Sequence, residues 1–127
     1  MSSFSQDELE YLRSGRLGRI ATVGRDGTPH VAPVGFSYNE QIDTIDVGGR
    51  DMANTKKFRD VARSGRAALV VDDVRPPWRP RGVEVRGRAE AVEGPRALIR
   101  IHPERVVSWG IDTDGFHRNS RFVGAAR

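Results

Sequence analysis

The stretch GRIATVGRDGTPHVAPVGF, residues 18–36, decides the fold. Two apolar, β-rich runs flank Arg25-Asp26-Gly27-Thr28, and Asp-Gly supplies the positive φ of a tight hairpin turn. Gly18–Val23 reads as one strand on its β-branched Ile20, Thr22 and Val23, and His30–Phe36 as the return strand. The second run carries Pro29, Pro33 and Gly35, which all weaken a strand. Either this is an ordinary edge strand, or something other than a neighbouring strand lies against it.

Upstream, Ser5-Gln6-Asp7-Glu8 fits a capping box, with Phe4 and Leu9 placed for a hydrophobic staple. A short helix follows and stops at Gly15. Downstream, Ser37–Gln41 reads as a polar turn and Ile42–Val47 as a third strand, making a three-stranded meander. Gly48-Gly49 ends that strand. From about Thr55 the pattern turns helical, with Phe58, Val61 and Ala62 on one face and Lys56, Lys57, Arg59, Asp60 and Arg63 on the other. Gly65 ends this helix, and Ala67–Val71 reads as a buried strand.

Residues 73–82, DVRPPWRPRG, read as an irregular Pro-rich loop, and Val83–Val92 as a half-exposed strand. Ala97–Ile101 and Arg105–Trp109 are separate apolar runs divided by His102-Pro103. The tail from Ile111 to Arg127 holds Phe116, Phe122 and Val123, and reads as an extended end or an arm laid on a partner. The sum is a mainly β chain: a six- to seven-stranded antiparallel barrel with two short peripheral helices, in one domain spanning residues 1–127.

Composition narrows the function classes. The net charge is +4 and the sequence pI about 10.3, which favours an anionic partner: phosphate, a polyanionic cofactor or nucleic acid. The chain has no Cys, so disulfides, thiolate nucleophiles and Cys-ligated metals are excluded. No apolar run approaches the ~20 residues that span a bilayer. The opening MSSFSQDELE is acidic, unlike a signal peptide, and a cytoplasmic protein is expected. His30, His102 and His117 lack metal-ligand spacing, so no metal is expected.

Two features carry chemistry. Arg50, Thr55 and Lys57 combine a guanidinium, a hydroxyl and an ammonium at a helix start, where free N–H groups add to a phosphate site; a capped helix with a solvated basic face is the alternative. Trp78 and Trp109 sit beside backbone-limiting residues and suit either the wall of a planar-ring pocket or a lid over the core. The carboxylates are interleaved with Arg, as in Val83-Glu84-Val85-Arg86, which favours ion pairs over acid/base dyads. Catalytic residues stay open, with Tyr38 and His30 as the possible proton donors.

Taken together, GRIATVGRDGTPHVAPVGF, TKKFRDVARSGRAALVV and VEVRGRAEAV resemble, in order and spacing, three blocks of the pyridoxamine 5′-phosphate oxidase-like, flavin-binding split-barrel family. The ending IRIHPERVVSWGID resembles the small actinobacterial branch that uses the deazaflavin coenzyme F-420. The resemblance implies a Greek-key split barrel that forms a homodimer with the cofactor at the interface. It implies that Val31, Pro33 and Val34 flank the ring, and that Arg50, Thr55 and Lys57 meet the phosphate or ring edge. It further implies that Trp78, Arg79 and Trp109 close the groove, from the same or the other subunit. RDMAN, between Gly49 and Thr55, is longer than the family pattern, which bears on Arg50.

The leading expectation is an oxidoreductase that passes a hydride to a small planar or conjugated substrate. The excess of Arg and Lys favours the polyanionic F-420, with FMN as the alternative. The rival classes are a non-catalytic flavin, deazaflavin or haem carrier and a basic β-barrel for single-stranded nucleic acid. Aromatics make up only 7% of the chain and fall mostly outside strands, which disfavours nucleic acid.

Overall fold

The computed structural model describes residues 2–111 and 118–124. Helix α1 (Gln6–Ser14) starts as its sequence dictates: the Ser5 side chain accepts from the Glu8 N–H, and the Glu8 carboxylate accepts from the Ser5 N–H. Strands β1 (Leu17–Val23) and β2 (Pro29–Gly35) form the expected hairpin, in register from Leu17↔Gly35 to Val23↔Pro29. The Asp26 carboxylate accepts from the Thr28 N–H, and Gly27 takes φ 87° in the turn.

The remaining elements are β3 (Ser37–Asn39), β4 (Thr44–Val47), α2 (Lys56–Ser64), β5 (Arg66–Arg75), β6 (Arg79–Val92), β7 (Leu98–Trp109) and β8 (Arg118–Phe122). All eight strands join one antiparallel sheet in the order β2-β1-β5-β6-β7-β4-β3, with β8 also on β7. Strands β2 and β3 stand at the two ends of that order, yet only Phe36 separates them in the chain. Consecutive Cα atoms lie about 3.8 Å apart, so the two edges meet within roughly 8 Å there. The sheet must therefore curl into a barrel that stays split between β2 and β3. Ile20, Leu69, Val83, Val85, Ile99, Ile101 and Ile45 fill its inner face and are almost wholly buried.

The fold class agrees with the sequence expectation, and the pairing corrects it in five places. The three strands after α1 are not a meander: β4 pairs β7 through Ile45↔Ile101 and leaves β2 free. Ile45 and Val47 are fully buried and pair with the buried Ile101 and Ile99 of β7. Ser37–Asn39 is a strand rather than a turn, and the reversal comes later, with Asp43 at φ 58°.

Much of the Pro-rich segment is regular. Strand β5 continues to Arg75 and pairs back as Asp73↔Arg81 and Arg75↔Arg79, so only residues 76–78 turn. The Asp73 carboxylate fastens this hairpin by accepting from Arg81 at 2.7 and 3.0 Å and from the Tyr11 hydroxyl at 3.1 Å. His102-Pro103 does not divide two strands; β7 runs through it. The β6–β7 register shifts between Arg86 and Gly87, and Gly87 lets the irregular backbone approach, because a Cβ there would lie 2.0 Å from the His102 carbonyl oxygen. The tail supplies an eighth strand, one beyond the expected range, while Phe116 and His117 lie outside the described residues.

One cluster pins β8. The Arg121 guanidinium donates to both Glu8 carboxylate oxygens at 2.6 and 3.0 Å and to the Ser3 carbonyl at 2.8 Å. The Ser108 hydroxyl donates to Glu8 at 2.6 Å. Only 3% of the Glu8 side chain is exposed. Burial alone would raise its pKa, but the hydrogen bonds from Arg121, Ser108 and Ser5 and the Arg121 charge outweigh it, and the carboxyl sits below its ordinary 4.5. The pair's contribution is therefore complete above that value and is lost as pH falls through the lower folded one. Arg121→Ala should cost about 2–3 kcal/mol in urea unfolding at pH 7, since it leaves a buried carboxylate unpaired. The gap to the unsubstituted chain should narrow at pH 3, and an unchanged midpoint at pH 7 would show that this pair does not hold β8.

Candidate functional site

Helix α2 positions the site. Thr55 caps it, its hydroxyl oxygen accepting from the Phe58 N–H at 3.3 Å and donating to the Met52 carbonyl at 2.7 Å. Phe58 and Val61 bury against the sheet. Asp60 shares that face and is 3% exposed, where the helical pattern put it among the solvated residues and put the exposed Ala62 inward. The reason is a polar partner: the Asp60 carboxylate accepts from the Thr22 hydroxyl of β1 and from the Lys56 ammonium, both at 3.0 Å. Burial pushes the Asp60 carboxyl up, and these two hydrogen bonds with the nearby Lys56 and His30 charges bring it below the usual carboxylate range. Near the other end of α2, Arg63 donates to the Val23 carbonyl.

A cavity of about 150 Å³ opens where α2 meets the hairpin. Ile20 and Thr22 of β1 and His30, Val31 and Ala32 of β2 form its wall, with Lys56 and Lys57 at its rim. The register Ile20↔Ala32 and Thr22↔His30 brings the inner-face residues together. The first turn of a helix also has N–H groups without intrahelical acceptors and the positive end of the dipole. An apolar sheet wall beside a cationic helix start suits a flat ligand with an anionic group. Its donors are those a phosphate needs, and its lining holds no carboxylate. The volume is below the 300–1,000 Å³ usual for a whole ligand pocket, so one chain encloses only part of such a molecule.

Of the residues singled out in the sequence, Val31 and Lys57 come together at this cavity, and Thr55 caps the helix beside it. Val31 and Pro33 lie on the exposed outer face of β2, whereas Val34 points into the core at 6% exposure, so the three do not share one side. Arg50 stands exposed ahead of a 3-10 turn, Met52–Asn54, into which the additional residues fold, burying Met52. That segment and the loop 94–98 form a second, open cleft of about 550 Å³.

Trp78 and Arg79 lie at the tip of the β5–β6 hairpin. They are ten or so residues along β5 from the cavity end, roughly 30 Å at the usual strand rise. Trp109 lies across Gly82, where a Cβ would come within 2.5 Å of its ring. Neither tryptophan touches the cavity of its own chain. Of the two possible donors, His30 lines the cavity, while the Tyr38 hydroxyl is engaged with Asp43 at 2.6 Å.

The sequence reading missed the Thr22–Asp60–Lys56 cluster as a unit. The i,i+4 spacing of Lys56 and Asp60 was its signal, but it has the same form in a surface pair. Among the described residues no group of His, Cys, Asp or Glu is placed to hold a metal, and no helix is long and apolar enough to cross a membrane.

A family model described as pyridoxamine 5′-phosphate oxidase matches residues 5–110. The chain belongs to the pyridoxamine 5′-phosphate oxidase family. A relative within reach of close comparison is 5a,11a-dehydrotetracycline/5a,11a-dehydrooxytetracycline reductase of Streptomyces rimosus, 47% identical over 122 residues, covering 87% of this chain and 86% of that one. Among solved structures, a conserved hypothetical protein of Mycobacterium tuberculosis matches 99% of this chain and 96% of its own with TM-score 0.74 at 22% identity. An FAD binding protein of Mycobacterium smegmatis matches 83% of this chain and 93% of its own with TM-score 0.65 at 26% identity. The family's flavin-binding split-barrel fold is thus the fold of this chain.

Proposed function

We propose that this chain is an oxidoreductase that binds coenzyme F-420, or FMN in its place, and reduces a planar, conjugated substrate as a homodimer. The observation that carries this is the cavity at the α2 start, with its sheet wall and its two lysines. The reductase relative, 47% identical, supports the redox class and suggests the substrate type: a polycyclic compound with a double bond to be saturated.

In this reading Lys57 and the first-turn N–H groups hold the phosphate, Thr55 fixes that turn, and Ala32 leaves room for the ring. The bound cofactor supplies the hydride. The residues around it exclude water and orient substrate against the β2 wall. Val31, with 72% exposure, and Pro33, Leu17 and Val23 put apolar side chains on the outer face of the β1–β2 hairpin around Arg19, which pairs with Asp72, and such a face suits burial by a second copy. Trp78, 68% exposed, with Arg79 would reach the second copy's cavity, and Trp109 would lie in the interface.

Titration with F-420 and with FMN, followed by ring fluorescence, tests the binding. Lys57→Ala should weaken both about tenfold by removing a charge-assisted phosphate contact, with the melting temperature unchanged. Unchanged affinity would place the phosphate elsewhere. Binding of both rings, with no oxidation of the reduced cofactor by any polycyclic enone or quinone, would point to a carrier instead.

The assembly has its own test. Val31→Asp should turn a dimer into a monomer by light scattering and weaken ring binding together. A dimer that persists with full affinity would remove this face from the interface.

A further inference from the structure

The cavity contains more cation chemistry than it shows as net charge. Lys56 and Lys57 both line it, but the Lys56 ammonium is 3.0 Å from the Asp60 carboxylate. Asp60 is buried, with 4% of its side chain exposed, while half of the Lys56 side chain remains in solvent. Placing a carboxylate on the packed face of a helix carries a desolvation cost that a neutral residue would avoid. Thr22 and Lys56 satisfy the group, yet Thr22 needs no charged acceptor. The charge on Asp60 acts on Lys56, and through Lys56 on whatever occupies the cavity.

We infer that Asp60 is a specificity-determining residue: by pairing with Lys56 it removes one unit of positive charge from the α2 start, which moves the balance from a doubly charged phosphomonoester toward a singly charged phosphodiester. This rests on the reading that the cavity takes the cofactor's phosphate. The other charged groups nearby are the same with and without this pair. Arg63 is turned to the Val23 carbonyl, Arg59 donates to the Asn54 carbonyl at 3.0 Å, and the Asp26 carboxylate, which accepts from the Thr28 N–H, stands with Lys56 and His30 around Gly24. The phosphate of F-420 is a diester with a single charge, and that of FMN is a monoester that carries nearly two at neutral pH. The preference for F-420 then comes from a local cancellation, not from the basic character of the whole chain.

The test compares equilibrium affinities for F-420 and FMN at pH 8, where the monoester is doubly charged. Asp60→Asn should shift the affinity ratio toward FMN by roughly five- to tenfold, the size of one unit charge acting over several ångströms near a protein surface. Asp60→Glu should keep the ratio of the unsubstituted chain. Lys56→Gln, at an exposed side chain, should move the ratio the opposite way, and it serves if Asp60→Asn fails to fold. A ratio unmoved by both Asp60→Asn and Lys56→Gln, in a protein whose binding still depends on Lys57, overturns the role of Asp60 and leaves the phosphate site standing. Binding indifferent to Lys57→Ala overturns the phosphate site itself.

Discussion

One residue, Phe36, ties the two ends of the strand order together. Strand β2 ends at Gly35 and β3 begins at Ser37, yet the two stand at opposite ends of the strand order. A flat sheet with that order would hold its edges several strand widths apart, at about 4.8 Å each. The chain cannot span that with one residue, so the sheet must roll up. Rolling creates the closed inner face that Ile45, Val83, Val85 and Ile101 fill without residual exposure. It leaves a seam along β2, where no strand completes the ladder. The barrel is split because its closure is covalent at one corner and not hydrogen-bonded along the edge.

The site follows from the same geometry. Helix α2 packs on β6 and β1, with Phe58 and Val61 buried. A helix held only by apolar contacts could rotate or slide. Asp60 and Arg63 remove that freedom by fastening α2 to Thr22 and to the Val23 carbonyl, successive residues of β1. The helix start is then fixed beside the hairpin, with Lys56 and Lys57 at the cavity. Packing and electrostatics are not separable here, because the carboxylate that sets the helix also sets how much charge it presents.

The parts of the fold that were legible in the sequence were local. The Ser5–Glu8 capping box and the Asp26-Gly27 turn each depend on residues within four positions, and both stand where their spacing put them. What the sequence hid was non-local. Nothing near Ile42–Val47 says that its partner is β7, over fifty residues on. His102-Pro103 looks like a break because the glycine that accommodates it, Gly87, lies on another strand. The candidate site shows the same division. Lys57 and Val31 were legible from motif position, whereas the burial of Asp60 depends on Thr22, thirty-eight residues earlier. A charged residue on a helix reads as solvated until its partner is known.

The prolines of β2 connect the seam to assembly. A long, open strand edge invites pairing with another chain, and prolines are one way proteins prevent it. Pro29 and Pro33 lack the N–H groups that an added strand would need, so strand-to-strand extension of the sheet through β2 is disfavoured. A second copy that covers this region must then approach the outer face, where Val31, Leu17 and Pro33 offer apolar surface rather than ladder bonds. Such a face-on approach leaves the seam open as a slot instead of sealing it with a ninth strand. A flat ring needs that kind of space: walls of small and apolar side chains, a cationic end at α2, and no backbone competing for the gap. Pro29 and Pro33, which weaken β2 as a strand, are thus the residues that keep its edge unpaired.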